Sequence, residues 1–121
     1  MARHKNKQAR QDLVPVRIKT HKDKRGGHPH IIVDDVDDKH VSIDITHDKF
    51  KGKNHKNYAL EHNPLGGKEQ SYMRRQGTVD DKKMYHGERR GEMTKHDYGK
   101  AREYGGKAKQ KYLDSKKDKK K

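Results

Sequence analysis

The chain of 121 residues contains no cysteine and no tryptophan, and it contains a single phenylalanine. Without cysteine there can be no disulfide and no thiolate-ligated metal site, and a cytosolic location is permitted. No apolar run approaches the roughly 20 residues that a membrane-spanning helix needs, and the polar start of the chain lacks the apolar region of a signal peptide. We therefore expect a cytoplasmic protein that does not associate with a membrane.

Large apolar residues are scarce as well. Leu, Ile, Val and Phe together number 16, about 13% of the chain, and below about 20% a highly charged chain tends to stay disordered. One interpretation is therefore a polycation that becomes ordered only on its partner. The apolar residues cluster in short runs, however, and this clustering favours one small folded domain.

Positive charge dominates what the chain does contain. Lys and Arg number 32 against 18 Asp and Glu, which gives a formal net charge of +14. Such an excess favours an anionic partner: RNA, DNA or an acidic protein. Residues 1–11 are predicted to be a disordered basic arm and residues 114–121 a solvated Lys-rich tail, on either side of a folded domain at 12–113.

The strongest structural prediction is an antiparallel hairpin over residues 30–46. The stretch HIIVDDV is a short aliphatic strand, and HVSIDIT at 40–46 alternates apolar and polar side chains, which is typical of a strand with one buried face. Residues 12–20 alternate in the same way, and Pro15 predicts that they form an edge strand. Further strands are predicted at 57–62 and at 70–79, with a break near Gly77, and 80–93 is predicted to be loop with some extended character.

One helix is predicted at the end of the domain. Thr94 is a candidate N-cap, and Asp97 follows three residues later, close to a capping box. A narrow stripe of small and aromatic residues then recurs at steps of three and four: Tyr98, Ala101, Gly105, Ala108 and Tyr112. The predicted fold class is therefore α+β and mainly β, with short antiparallel strands and a covering C-terminal helix.

The sequence predicts no metal site and no other cofactor. The ten histidines do not have the spacing of a known zinc module. The acidic run formed by Asp34, Asp35, Asp37 and Asp38 lacks the glycine and the closing glutamate of a calcium-binding loop. It is predicted to be a solvated hairpin turn.

Several histidines suit a ribonuclease. RNA supplies its own nucleophile, the 2′-OH, so the protein needs only a proton acceptor, a proton donor and a group that stabilises the phosphate. Thr46 and His47 end one predicted strand and His28 begins its antiparallel neighbour, so these three candidate catalytic residues are expected to meet at one rim. The basic loop beside them would bind nucleic acid through Lys49, Lys51 and Lys53. The alternative is that Thr46 only ends a strand and that the lysines are solvated.

A second pair of candidate nucleic-acid-binding residues, Arg74 and Arg75, follows Tyr72 closely. A tyrosine beside arginines can bind RNA by stacking and phosphate contact. Because the chain has so few apolar residues, Tyr72 is predicted to belong to the core instead.

The order of these segments resembles that of the PemK/MazF family of toxin ribonucleases over about residues 13–113. VPVRIKTHKDKRGGHPHIIV resembles the family's first strand, its polar loop and its Gly-x-Arg-Pro motif before an aliphatic run. VSIDITHDKFKGKNHKNYAL resembles the later strand that ends in Thr or Ser, and SYMRRQGTVDDKKMYHGERRGEMTKHDYGKAREY resembles the polar strand that leads into the helix. The likeness is one of order and character rather than of identity.

The resemblance implies a small SH3-like barrel with a C-terminal helix, a homodimer, and neutralisation by an acidic, antitoxin-like protein. It also implies metal-independent cleavage of single-stranded RNA. The family's threonine position matches Thr46, whereas its catalytic arginine before proline is His28 here. The Gly-Asp that opens the family's first strand is reduced to Asp12-Leu13.

We therefore expect an RNA-binding endoribonuclease in which His28 and His47 share the acid and base roles. Thr46 and the nearby lysines would hold the phosphate, Arg74 and Arg75 would hold flanking RNA, and the products would be a cyclic phosphate and a 5′-hydroxyl. Two alternatives remain: a non-catalytic nucleic-acid-binding module, and an inhibitor that docks on an acidic protein.

Overall fold

The computed structural model describes residues 13–22, 27–50 and 56–119. The described elements are β1 (Leu13–His21), β2 (His28–Val36), β3 (Lys39–Thr46), β4 (Tyr58–Ala59), β5 (Tyr72–Met73), β6 (Thr78–Asp81), a 3₁₀ turn (Lys82–Met84), β7 (Tyr85–Thr94) and α1 (Lys95–Lys119). The predicted basic arm at 1–11 lies outside these described residues, as do the last two residues of the predicted tail.

All described strand pairs are antiparallel, and the order across the sheet is β4-β5-β3-β2-β1-β7. β6 pairs with β3, and the three-residue 3₁₀ turn joins it directly to β7, which pairs with β1. Residues 78–94 therefore connect β3 to β1 across the sheet, and the sheet curls into a small barrel-like shape. The predicted fold class, mainly antiparallel β with one C-terminal helix, is confirmed.

The hairpin predicted over residues 30–46 is confirmed as β2 and β3, in which Ile31 pairs with Ile43. Ile18 of β1 pairs with Ile31 in turn, so one row of buried aliphatic side chains crosses three strands. The same core contains Val16, Ile45, Leu60, Met73, Met93, Ala101 and Tyr104. Since side chains alternate between the faces of a strand, the residues between these positions point to the other face.

Two predictions for the strands are corrected. β1 is not an edge strand, because it pairs with β2 over Arg17–His21 and with β7 along its length. Pro15 is tolerated because it lies before the segment that pairs with β2. Residues 85–94 are a ten-residue strand rather than loop. They pair with β1 through backbone hydrogen bonds, although most of their side chains are polar and exposed.

The acidic turn between β2 and β3 holds the helix. Asp37 adopts a left-handed conformation with φ of 54°, which aspartate accepts more readily than most residues. Its carboxylate accepts hydrogen bonds from Tyr112 and Lys116, and Asp34 accepts one from Lys109. The turn is therefore anchored to α1 rather than only solvated.

The helix begins as predicted, since the Thr94 hydroxyl accepts a hydrogen bond of 3.0 Å from the Asp97 amide. α1 continues to Lys119, so it includes most of the segment 114–121 that the sequence predicted as a tail. Gly105 is buried against β2 and β3, and a Cβ at this position would lie 2.5 Å from Val33 Cγ2. The small residues of the predicted stripe thus allow α1 to approach the sheet closely.

Candidate functional site

The face of the sheet opposite the aliphatic core carries buried polar groups. His30 Nδ1 lies 2.8 Å from Ser42 Oγ, which lies 2.7 Å from the hydroxyl of Tyr85. The rings of His21 and His30 stack with centroids 5.0 Å apart, and His21, His30 and His40 all meet the Tyr85 ring edge to face. Burial raises the pKa of Tyr85 to about 12, so its hydroxyl remains protonated at neutral pH.

Carboxylates at the margin of this network orient two of its histidines. His21 Nε2 lies 2.8 Å from an oxygen of Asp80, and His40 Nδ1 lies 2.6 Å from an oxygen of Asp35. The other ring nitrogen of His40 lies 3.1 Å from Lys19 Nζ. Because both nitrogens of His40 have partners and only 2% of the residue is exposed, we assign it a structural role.

Asp44 links a histidine and an arginine at the rim of the same face. Its Oδ1 lies 3.6 Å from His28 Nδ1 and 3.9 Å from His30 Nε2, and its Oδ2 accepts a hydrogen bond of 2.8 Å from Arg74 Nε. The Arg74 amide also donates to the Asp44 carbonyl at 3.1 Å, which fixes the segment after β5 relative to β3. About a third of the His28 and Arg74 side chains is exposed, against 13% of the Asp44 side chain. A ligand can therefore reach the histidine and the arginine while the aspartate stays behind them.

Thr46 and His47 lie next along the chain from Asp44. Thr46 is half-buried on the same face of β3, and its Oγ1 accepts a hydrogen bond of 3.1 Å from the Asp48 amide. His47 is exposed in the bend that follows. The structure thus places His28 beside Asp44 and Arg74, with Thr46 two positions further along β3.

Asp44 was not among the candidate site residues predicted from the sequence. A signal was present, because the alternation of HVSIDIT puts Asp44 on the polar side of the strand together with Ser42 and Thr46. What the sequence could not show is the ion pair with Arg74, which lies 30 residues away in the chain.

A second feature, the basic–aromatic strip, consists of Lys49, Phe50, Lys56, Tyr58 and Arg75. Lys49 Nζ lies 5.7 Å from the centroid of the Phe50 ring, and Phe50 pairs across an isolated bridge with Lys56. Arg75 Nε donates to the Lys56 carbonyl at 3.0 Å, and the Arg75 guanidinium lies 5.4 Å from the Tyr58 ring centroid. Two cation–ring pairs, Lys49 with Phe50 and Arg75 with the half-buried Tyr58, are therefore linked through the Lys56 backbone. Lys51 and Lys53, which were predicted to bind nucleic acid, lie outside the described residues.

The strip continues into a groove of about 520 Å³ between α1 and the segment that joins β5 to β6. Its cations are Arg75, Lys107 and Lys111, and Val79, Tyr104 and Ala108 contribute apolar surface. Arg75 belongs to both features, and its guanidinium donates to the Tyr104 hydroxyl at 3.2 Å. No acidic residue lines the described groove, so it suits an anionic ligand that also has apolar surface.

Within the described ranges, no group of three or more His, Asp or Glu side chains is placed to hold a metal ion. The described part of the chain also contains no helix that is long and apolar enough to cross a membrane. Comparison of the chain with protein-family models, with curated proteins and with solved structures found no match.

Proposed function

We propose that this protein binds single-stranded RNA and cleaves it without a metal, at a site formed by His28, Asp44, Arg74 and Thr46, with the exposed His47 as the proton donor. The observation that carries the proposal is the pairing of His28 and Arg74 around one largely buried carboxylate. An imidazole and a guanidinium at one exposed rim are the groups that proton transfer and phosphate stabilisation require. The cytoplasm, where RNA is abundant, is the proposed location.

The charge distribution supports RNA as the ligand. The chain carries a formal net charge of +14, and the described cations of the strip and the groove can each neutralise a phosphate. Aromatic rings between the cations favour unpaired bases, because bases that are stacked in a duplex cannot lie flat on a side chain. Arg74 of the candidate catalytic rim and Arg75 of the strip are consecutive in the chain, with Arg74 bound to Asp44 and Arg75 bound to Tyr104 on the helix side of the sheet.

Each group at the rim has a defined part in the proposed reaction. His28 accepts the proton of the 2′-OH as the O2′–P bond forms, and the Asp44 carboxylate orients the imidazole. Arg74 and the Thr46 hydroxyl donate hydrogen bonds to the phosphate oxygens, where negative charge accumulates. His47 donates a proton to O5′ as the P–O5′ bond breaks. The products are a 2′,3′-cyclic phosphate and a 5′-hydroxyl.

A second candidate function is RNA binding without cleavage. It is favoured by the contacts of Arg74, whose side chain and amide both bind Asp44 and thereby hold the end of β5 to β3. In that case the ion pair serves the fold, and the strip and the groove alone contact RNA.

The two functions are separated by incubating the purified protein with end-labelled single-stranded RNA in EDTA. Wild-type protein is expected to release cyclic-phosphate ends, and His28→Ala is expected to slow cleavage by about 10²- to 10⁴-fold, the usual contribution of a general base. His86→Ala is the matched control, because His86 is exposed on β7, and it should cleave at the wild-type rate.

Three results would decide against the proposed cleavage site. Equal rates for His28→Ala and wild type would remove His28 from the reaction. A band shift without cleavage would favour the binding module. Failure to bind any RNA at low salt would favour an acidic protein as the partner.

A further inference from the structure

Phe50 is an exception to the way this protein uses its few apolar residues. In the described part of the chain it is the one large hydrophobic residue that is exposed, with 51% of its surface open to solvent. It is also the single phenylalanine of the sequence. An isolated exposed apolar residue needs no explanation by itself, but the position of this ring distinguishes it.

The backbone just before Phe50 is held by two hydrogen bonds from one buried residue, Asn57. The Asn57 amide donates to the Lys49 carbonyl at 2.8 Å, and the Asn57 side chain donates to the Asp48 carbonyl at 2.9 Å. Asn57 itself is only 4% exposed. Phe50 therefore projects from an anchored pair of segments, and fixing its position on binding costs little conformational entropy.

The surroundings of the ring are cationic. Lys49 lies over the ring, and Lys56 lies across the bridge from Phe50 and is tied through its carbonyl to Arg75. Phe50 also follows Thr46 by four residues, a distance of at most about 14 Å along an extended chain. An exposed ring among cations, within about 14 Å of a candidate phosphate site, is the kind of arrangement on which unpaired bases stack.

We propose that Phe50 is a stacking platform for one nucleobase of single-stranded RNA, with Lys49 and Lys56 contacting the flanking phosphates. This inference rests on the proposed RNA-binding function and goes beyond it, because it assigns an unpaired base to a particular side chain. Every base has a flat π-face, so the platform contributes affinity without selecting a sequence. A duplex, whose bases are already stacked, gains nothing from it.

The absence of tryptophan from the chain allows a direct test. Phe50→Trp introduces the only indole, and stacking of a base on it is expected to quench its emission when a 2′-O-methyl single-stranded RNA is added. The 2′-O-methyl groups remove the nucleophile, so cleavage cannot interfere. His86→Trp is the matched control, since His86 is exposed on β7, at the other end of the strand order from β4, and its emission should not change.

Affinity measurements separate stacking from charge. Phe50→Ala is expected to weaken binding of the same RNA by about 5- to 150-fold, which corresponds to the loss of one stacked base. The variant should bind inorganic polyphosphate, an anion without bases, as tightly as wild type does. Equal losses for RNA and polyphosphate, or unchanged Phe50→Trp emission at saturating RNA, would overturn the platform.

These results are independent of catalysis. Quenching in Phe50→Trp without any cleavage of ordinary RNA would support the platform and contradict the ribonuclease. Cleavage by Phe50→Ala with wild-type affinity and rate would support the ribonuclease and contradict the platform.

Discussion

Gly105 and Gly106 are neighbours in α1, yet alanine is expected to have opposite effects at the two positions. In a helix interior alanine is favoured over glycine by about 1 kcal/mol, because it loses less backbone entropy on folding. A Cβ at Gly106 has nothing within 4 Å, so Gly106→Ala should raise the free energy of unfolding by about 1 kcal/mol. A Cβ at Gly105 would lie 2.5 Å from Val33 Cγ2 and 3.2 Å from Val41 Cγ1, whereas carbon atoms pack best at about 3.5–4.0 Å.

Relief of that overlap requires the helix or the sheet to move. Val33 is branched at Cβ and has few alternative rotamers, and overpacking of this kind costs about 1–3 kcal/mol. Gly105→Ala should therefore be less stable than Gly106→Ala by about 1–3 kcal/mol in the free energy of unfolding. Urea denaturation of both variants and wild type measures the difference. If Gly105→Ala proved as stable as Gly106→Ala, the close approach of α1 to β2 and β3 would be refuted.

Two further predictions concern the start of the helix and the groove. Burial raises the pKa of Asp97, and the nearby Glu61 carboxylate raises it further. The hydrogen bond that the Asp97 carboxylate accepts from the Glu61 amide lowers the pKa, but its effect is smaller than that of burial. Between the unfolded-state pKa of 3.8 and the higher native-state pKa, the native protein binds more protons at Asp97 than the unfolded chain does. The contribution of Asp97 to stability therefore decreases as the pH rises through this range. Asp97→Asn should gain stability relative to wild type between pH 3.5 and pH 7 in urea denaturation, and a difference independent of pH would contradict the assignment. In the groove, Lys107→Gln with Lys111→Gln should reduce the slope of log affinity against log salt for single-stranded RNA by about 1 to 1.5. The control Lys82→Gln with Lys83→Gln makes the same change in net charge, and equal slopes for the two double variants would remove the groove from the binding surface.

The strands were predictable where apolar and polar side chains alternate, as in β3, and were not predictable where this pattern is missing, as in β7. Val41, Ile43 and Ile45 alternate with polar residues, and they lie in the buried face of β3 as expected. β7 gave no such signal, because five consecutive residues after Tyr85 are exposed and two of its positions are glycine. Its place in the sheet depends on backbone hydrogen bonds to β1 and on buried residues near its two ends, Tyr85 and Met93, neither of which produces an alternating pattern.

The candidate site shows the same division. The position of His28 at the start of one strand and of Thr46 at the end of the next followed from antiparallel pairing. The alternation of HVSIDIT could also have predicted that Asp44 lies on the same face of the strand as Thr46. Lys49 and Arg75 of the basic–aromatic strip were predicted to bind nucleic acid, but the assembly of the strip was not predictable. It depends on contacts such as those of Arg75 with Lys56 and Tyr104, which lie 19 and 29 residues away in sequence.

Cleavage of RNA through the 2′-OH can be tested with a substrate that contains only one 2′-OH group next to a scissile phosphate. An end-labelled single-stranded DNA oligonucleotide that contains a single ribonucleotide offers one nucleophile at a known position. Incubated with wild-type protein in EDTA, it should be cut only on the 3′ side of that ribonucleotide, leaving a 2′,3′-cyclic phosphate. Binding of this oligonucleotide without cleavage, or cleavage at the deoxyribonucleotides, would contradict the account.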